Sequence, residues 1–149
     1  MVLLLTREQP DEQDVTYKRA ALRLVRNLSL NKRCRKRMYE LKLITQIYSL
    51  MTELSVAKEF EQFEIDDVIE ACLSAIHILC KDLNHRKLLM NNDPSGVVKT
   101  LVQLALAPSL NCKREALGAL AELSQVGCLT DKFAFNVLGF WIPKLDQEL

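Results

Sequence analysis

The stretches ALRLVRNLS at 21–29, CLSAIHILC at 72–80 and ALGALAELS at 116–124 share one pattern of apolar residues. Aligned, they place apolar side chains at positions i, i+2, i+3 and i+6. The columns hold Leu22, Leu73 and Leu117; Leu24, Ala75 and Ala119; Val25, Ile76 and Leu120; and Leu28, Leu79 and Leu123. This spacing gives a helix with a broad apolar face, which must be covered on several sides. Its recurrence after 51 and then 44 residues predicts a stack of repeated helical units.

The repeat continues beyond these three stretches. Arg35 and Arg86 each lie seven positions after the last leucine of their stretch, and Met38 and Leu89 lie ten positions after it. A second apolar segment then follows, LKLITQIYSLM in one copy and GVVKTLVQLAL in the other. The polar sequence at 55–66 is predicted to be a loop that absorbs the extra residues of the longer copy, since loop-closure entropy rises only slowly with length.

Capping residues indicate where the helices begin. Asp93 followed by Pro94 predicts an N-cap and a first helical residue. Asn111 is predicted to cap the helix that contains the third stretch, and Asn31 and Asn84 to start two short helices. With only 4 Gly and 4 Pro in 149 residues, and no sustained alternation of polar and apolar residues, the fold class is predicted to be all-α and a single domain by length.

The order of these segments resembles that of armadillo repeats. A short segment (NKRCRKRMYE or LNHRKLLMNN) precedes a second apolar segment and then a long one, and ALRLVRNLS resembles the end of an armadillo third helix. The resemblance covers nearly the whole chain. It implies a right-handed α-solenoid of armadillo-like three-helix repeats, two complete and flanked by partial ones. The expected units are a partial repeat 1–30, repeats 31–80 and 81–125, and a partial repeat 126–149.

The two ends of the chain carry apolar residues that a terminal repeat would normally cover with a polar face. Residues 2–5 and 140–142 are apolar. We therefore expect a fragment or short isoform of a longer solenoid, or a chain that associates end to end. The alternative is that both end segments fold back as caps.

The resemblance also implies a binding groove along the third helices. Where armadillo proteins often carry a Trp followed four residues later by Asn, this chain has Arg23 and Asn27, Ser74 and Ile78, and Gly118 and Glu122. The absent tryptophans argue against a receptor for basic nuclear-localisation peptides, and the arginines favour a ligand with acidic residues. The predicted partner-binding residues are Arg19, Arg23, Asn27, Glu70, Ser74, Ile78, Arg114 and Glu122. Alternatively, these residues form a solvated helix face.

The net charge of +1 conceals a strong segregation of charge. Residues 18–42 hold ten of the 20 basic groups and one acid, whereas residues 53–70 hold seven acids and one lysine. The basic stretch, with Arg33, Lys36 and Arg37 as an alternative basic patch, could attract an acidic peptide, a phosphorylated tail or an anionic lipid surface. It could equally be a solvated face that meets the acidic stretch of the next repeat. Nucleic acid is disfavoured because few aromatic residues interrupt the basic run.

The sequence predicts no catalytic residue, cofactor or metal. It has no GxSxG, Gly-rich phosphate loop or HExxH motif, and its five cysteines form no CxxC pair. Asp66, Asp67 and Glu70 are interpreted as N-terminal charges of a helix at 67–80, favoured by its dipole. His77 on that helix is interpreted as a partly buried, hydrogen-bonded histidine. Unpaired cysteines, no membrane-length apolar run and no signal-peptide core favour the cytoplasm or the nucleus.

Three functional hypotheses follow. The first is a non-catalytic adaptor or scaffold module that binds an extended or helical segment of another protein. The second is a regulatory solenoid that grips a small GTPase or a chaperone ATPase and stabilises one of its conformers. The third is docking of the basic patch to anionic lipid or nucleic acid, which would depend steeply on salt.

Overall fold

The computed structural model describes residues 12–56 and 62–125, and within these ranges it contains seven α-helices and no β-strand. The all-α prediction is therefore confirmed for this part of the chain. The apolar end segments at 2–5 and 140–142 lie outside the described residues. The helices are α1 (Glu12–Leu28), α2 (Lys32–Glu40), α3 (Leu43–Val56), α4 (Gln62–Leu79), α5 (Leu83–Met90), α6 (Pro94–Ala105) and α7 (Leu110–Leu123).

Two of the predicted helix starts agree with the structure. The Asn31 side chain accepts hydrogen bonds from the backbone N–H groups of Arg33 and Cys34 and so caps α2. The Asp93 side chain accepts from the N–H of Gly96 and caps α6, whose first residue is Pro94. Both caps satisfy backbone donors that have no partner inside the first turn of a helix.

Two other predicted caps were wrong by two residues. Asp82, with an extended backbone, caps α5 by accepting from the N–H of Asn84, so Asn84 itself lies inside the helix. Ser109 caps α7 by accepting from the N–H of Cys112, and Asn111 lies in the first turn. In each case a side-chain acceptor two residues earlier, Asp82 or Ser109, is the N-cap residue. The helix therefore begins earlier than the apolar pattern indicates.

The prediction of a loop at 55–66 was wrong at both of its ends, because α3 runs to Val56 and α4 already begins at Gln62. The expected helix at 67–80 thus starts five residues earlier. Asp66, Asp67 and Glu70 consequently lie within the helix, beyond its first turn, so the helix dipole does not account for their positions.

Helix α4 is the centre of the described fold. It packs against α1 on one side, against α7 on the other, and against α3, while α6 packs against α7. Leu73, Ile76 and Leu79 on α4 are fully buried, as the repeated columns predict. A central helix buries apolar side chains on several sides because neighbours cover most of its circumference.

Of the three long helices α1, α4 and α7, the outer two, α1 and α7, bury fewer of the apolar residues in the repeated stretches. Leu22 and Val25 on α1 and Leu123 on α7 are fully buried, but Leu24 is 51% exposed and Leu117 is 44% exposed. The pattern alone predicts that both would be covered. They are not, because α1 and α7 each pack against one long helix, α4, whereas α4 packs against both of them.

Two arginines at equivalent positions of the sequence pattern donate to carbonyl groups at the ends of long helices. Arg35 donates to the carbonyl oxygens of Ser29 and Leu30 at the end of α1, and its Nε lies 3.9 Å from a carboxylate oxygen of Asp82. Arg86, only 7% exposed, donates to the carbonyl oxygen of Glu122 at the end of α7. Arg35 thus connects α2 to the end of the preceding long helix α1, whereas Arg86 connects α5 to the end of the following long helix α7. Cations are favoured at the C-terminal end of a helix in both cases.

No helix within 12–56 or 62–125 combines the length and the apolar composition that crossing a bilayer requires.

Candidate binding groove

A cavity of about 390 Å³ opens along α1, α4 and α7. It brings together five of the side chains that the sequence predicted as contacts: Arg23, Asn27, Glu70, Ser74 and Arg114. Arg26, Asp67, Ala71 and Glu115 complete its lining. We call this lining the groove.

The α1 wall of the groove is rich in hydrogen-bond donors. Arg23, Arg26 and Asn27 are exposed, and the spacing of three and four residues keeps them on one helical face. Within the described residues, neither Arg23 nor Arg26 makes an ion pair or a side-chain hydrogen bond. The two guanidinium groups are therefore available to an oxyanion, which arginine can hold through two parallel hydrogen bonds.

The α4 wall carries one carboxylate that is paired with an arginine and one that is not. Asp67 accepts a hydrogen bond from Arg19 of α1 and forms an ion pair with it. Glu70, one turn later, has no such partner among the described residues. Ser74, one further turn along, adds a hydroxyl group that can both donate and accept. This wall thus offers one unpaired carboxylate and one hydroxyl.

On the α7 side, Glu115 links the groove to a histidine below it. One Glu115 carboxylate oxygen lies 2.8 Å from Nδ1 of His77, and the other lies 3.2 Å from Nη2 of Arg114. A Cβ atom placed on Gly118 would lie 2.5 Å from Cε1 of His77, so only glycine leaves the ring its position. His77 is partly buried and hydrogen-bonded, as expected, and it helps to hold α7 against α4.

The thiols near the groove are poor nucleophiles. Burial raises the pKa of the Cys112 thiol and outweighs the lowering by the Ser109 hydroxyl, and the carboxylates of Glu70, Asp66 and Asp67 raise it further. Burial likewise raises the pKa of the Cys72 thiol far above its ordinary value. A thiol that stays protonated at neutral pH is neither an effective nucleophile nor a metal ligand.

Three of the predicted contacts lie away from the groove lining. Arg19 is engaged with Asp67. Ile78 lines a separate cavity of about 230 Å³ between the ends of α1 and α4, next to the start of α2. The Glu122 carboxylate lies 3.6 Å from the buried Arg86 guanidinium. Ile78 lies one helical turn beyond Ser74, and Glu122 lies two turns beyond Glu115, which are the last residues of α4 and α7 in the groove lining.

Sequence reasoning missed three charged residues of the groove lining. Arg26 and Asp67 lie three residues from the predicted Arg23 and Glu70, and Glu115 is adjacent to Arg114. For Arg26 and Asp67 the missed signal was the neighbour three residues away, which shares a helix face as a neighbour four residues away does. No spacing rule points to Glu115, because adjacent residues of a helix do not share a face.

The alternative basic patch lies on α2. Arg33, Lys36 and Arg37 are all exposed, and Arg37 forms an ion pair of 2.8 Å with Glu40. Arg35 of the same helix instead points inward, to the carbonyl groups at the end of α1. The basic stretch therefore divides between a solvated face and contacts with neighbouring helices, and Arg19 with Asp67 is one such contact.

Comparison with known protein families adds no assignment, because no family model matches the chain. Among the described residues, no group of three or more His, Cys, Asp or Glu side chains is arranged to hold a metal ion.

Proposed function

We propose that the chain is an armadillo-like right-handed solenoid with repeats at 31–80 and 81–125. The recurrence of helix order supports this reading, because a short helix, a second helix and a long helix follow one another in α2 to α4 and again in α5 to α7. Partial repeats at 1–30 and 126–149 would extend the stack in both directions.

The function that the groove supports best is non-catalytic binding of another protein, as an adaptor or scaffold in the cytoplasm or nucleus. The observation that carries this proposal is the groove itself, whose lining comes from three successive long helices. Its unpaired charges lie in an open cavity of about 390 Å³, which suits a peptide segment. Because the free groups are polar and directional, they favour an extended segment whose backbone and side chains can hydrogen-bond.

Selection of peptides from a random display library tests this proposal. Peptides enriched on the chain should bind Ser74→Arg at least about tenfold more weakly, because the long side chain fills the groove and adds a positive charge. The matched control is Ser49→Arg, the same substitution at an exposed serine of α3 that does not line the groove. Circular dichroism of both variants verifies that the helices remain folded.

Equal affinity of the selected peptides for wild type, Ser74→Arg and Ser49→Arg would place the binding surface elsewhere and refute the groove. Failure to enrich any peptide would count against a peptide-binding function.

A second candidate, docking to an anionic lipid surface, is favoured by the outward face of α2. The exposed cations Lys32, Arg33, Lys36 and Arg37 lie on this face, and Leu30, 68% exposed, precedes the helix. Basic side chains near a negatively charged leaflet each contribute about 1 kcal/mol, and a protruding apolar residue adds to this.

Sedimentation with phosphatidylserine vesicles tests the second candidate. Binding should fall steeply as salt increases and should be lost in Arg33→Glu/Lys36→Glu. Arg23→Glu/Arg26→Glu is the matched control, since it reverses the same number of charges in the groove. Equal loss in both double variants would indicate attraction by net charge and not by α2. Binding of a DNA or RNA oligonucleotide in place of vesicles would redirect the assignment to nucleic acid.

A further inference from the structure

We propose that the groove selects an extended peptide segment in which an acidic residue and a basic residue are adjacent. The acidic side chain lies against the α1 wall and the basic side chain lies against the α4 wall. This inference rests on the proposed peptide-binding function and adds the chemistry of the ligand.

The charges that are free to bind a ligand are separated by wall. Arg23 and Arg26 on α1 have no partner within the described residues. On α4, Asp67 is engaged by Arg19, which leaves Glu70 as the carboxylate without a partner in that part of the chain. A ligand therefore meets two uncompensated cations on one side and one uncompensated anion on the other.

The Glu115 carboxylate on the α7 side does not change this arrangement of free cations on the α1 wall and a free anion on the α4 wall. Glu115 is held by the His77 ring at 2.8 Å and by Arg114 at 3.2 Å, and it is only 9% exposed. Each of its two carboxylate oxygens already has one of these neighbours within hydrogen-bond distance. The Arg114 guanidinium on the same side is paired with Glu115, so the charges without a partner in the described part of the groove are those of the α1 and α4 walls.

When the ligand is an extended peptide, the difference in charge between the α1 and α4 walls becomes a preference for particular residues in the peptide. Successive side chains of an extended segment point to opposite sides. A segment that runs between α1 and α4 thus directs one residue toward Arg23 and Arg26 and the next toward Glu70. The side-chain amide of Asn27 and the hydroxyl of Ser74 can hydrogen-bond to the peptide backbone between them.

The acidic residue contributes more than the basic one. It faces two guanidinium groups, and arginine–carboxylate hydrogen bonds are charge-assisted and geometrically specific. The basic residue faces the single carboxylate of Glu70. We therefore expect affinity to fall in the order acidic–basic pair, acidic residue alone, basic residue alone, and neither.

Oriented libraries of short peptides test the proposal directly. Each library has random flanks around a fixed central pair: Glu-Lys, Lys-Glu, Glu-Glu, Lys-Lys, Glu-Ala, Ala-Lys or Ala-Ala. The pooled Glu-Lys and Lys-Glu libraries should bind the wild-type chain about tenfold more tightly than Ala-Ala, and more tightly than Glu-Glu. Equal binding of Glu-Glu and Glu-Lys would overturn the pairing, since it would show a groove that recognises negative charge alone.

Charge reversal of each wall provides the decisive control. Glu70→Lys should shift the preference to Glu-Glu, and Arg23→Glu/Arg26→Glu should shift it to Lys-Lys. The combined triple variant exchanges the two walls and should restore the preference for Glu-Lys and Lys-Glu. Glu53→Lys, a reversal at an exposed position of α3, should leave the wild-type preference unchanged. Failure of the triple variant to restore the preference would overturn the proposal.

The two proposals fail in different ways. If Ala-Ala peptides bind as tightly as Glu-Lys peptides and Ser74→Arg still blocks them, the groove binds peptides without the charge pairing. If Ser74→Arg blocks none of the libraries, the groove is not the binding surface and both proposals are wrong.

Discussion

Individual leucines at equivalent positions of the repeat differ in burial, and this difference predicts unequal stability effects. Leu79 and Leu123 are fully buried, whereas Leu28 in the same column is 38% exposed. Leu79→Ala and Leu123→Ala should each lower the free energy of unfolding by about 2–5 kcal/mol, through lost burial and a residual cavity. Leu28→Ala should cost about 1 kcal/mol, since solvent already contacts that side chain. Chemical denaturation measures all three variants.

Near-neutral effects of Leu79→Ala or Leu123→Ala would show that the repeat register is wrong. An equally large effect of Leu28→Ala would show that α1 is covered in solution on its outer face.

The buried imidazole of His85 predicts a stability that depends on pH. Its Nε2–H donates to the carbonyl oxygen of Arg35 at 3.0 Å, and its Nδ1 is buried without a partner among the described residues. Burial lowers the pKa of His85, only partly offset by the Arg35 carbonyl and the Asp82 carboxylate. Protonation would place an unsatisfied N–H and a charge at Nδ1, where Arg35 adds repulsion.

The sign of the effect follows from proton linkage. Because the folded state binds this proton less readily than the unfolded chain, His85 destabilises the fold as the pH falls below about 6.5, the ordinary histidine value. His85→Gln keeps a donor for the Arg35 carbonyl but cannot titrate. The unfolding free energy of His85→Gln should therefore decline less than that of wild type between pH 7.5 and 5.5, as measured by urea denaturation. Parallel declines would show that His85 is not responsible.

At the scale of the helix, the start of α7 allows a test between two candidate N-cap residues, Ser109 and Asn111. The Ser109 hydroxyl accepts from the N–H of Cys112, and Asn111 is an exposed residue of the first turn. Ser109→Ala should lower the free energy of unfolding by about 1 kcal/mol, because that N–H loses its acceptor. Asn111→Ala should change it by less than about 0.5 kcal/mol. Thermal and urea unfolding of the two variants decide between these positions; a larger effect at Asn111 would contradict the assigned helix start.

These caps show that the sequence predicts the interior of a helix better than its first residue. The interior of each helix was predictable because an apolar period of 3.6 residues persists over several turns. Its first residue was not, because Ser109 and Asn111 are both good caps two residues apart. The start of α4 at Gln62 was missed for a related reason, since Phe63 and Ile65 alternate with polar residues and do not follow the apolar period of a helix.

The groove illustrates the same limit for a site. Arg23, Asn27, Glu70, Ser74 and Arg114 were predicted together because a spacing of four residues places side chains on one helix face. Ile78 and Glu122 satisfy that spacing but lie outside the groove. Which turn of each helix opens into a cavity depends on how α1, α4 and α7 pack, and this packing is not encoded in the period of any one helix.

At the scale of the whole molecule, the stack has apolar side chains at both of its described ends. Leu24 on α1 is 51% exposed, and Leu110 and Leu117 on α7 are 79% and 44% exposed. In the central helix α4, Ala75 and Leu73, which are equivalent to Leu24 and Leu117, are fully buried. Surfaces that repeat the geometry of an internal interface are suited to contact one another, head to tail.

This arrangement predicts that the chain self-associates through α1 of one copy and α7 of the next. The apparent mass in sedimentation equilibrium should rise with concentration, and Leu117→Glu should suppress that rise because association would bury a carboxylate without a partner. Leu83→Glu is the matched control, since Leu83 on α5 has a similar exposure of 40% but does not lie on an outer long helix. Suppression by both variants would indicate non-specific apolar contact, and a concentration-independent monomer mass for wild type would refute end-to-end association. A rise that persists in Leu24→Glu but not in Leu117→Glu would restrict the contact to α7 and replace the head-to-tail arrangement with a symmetric pairing of two α7 helices.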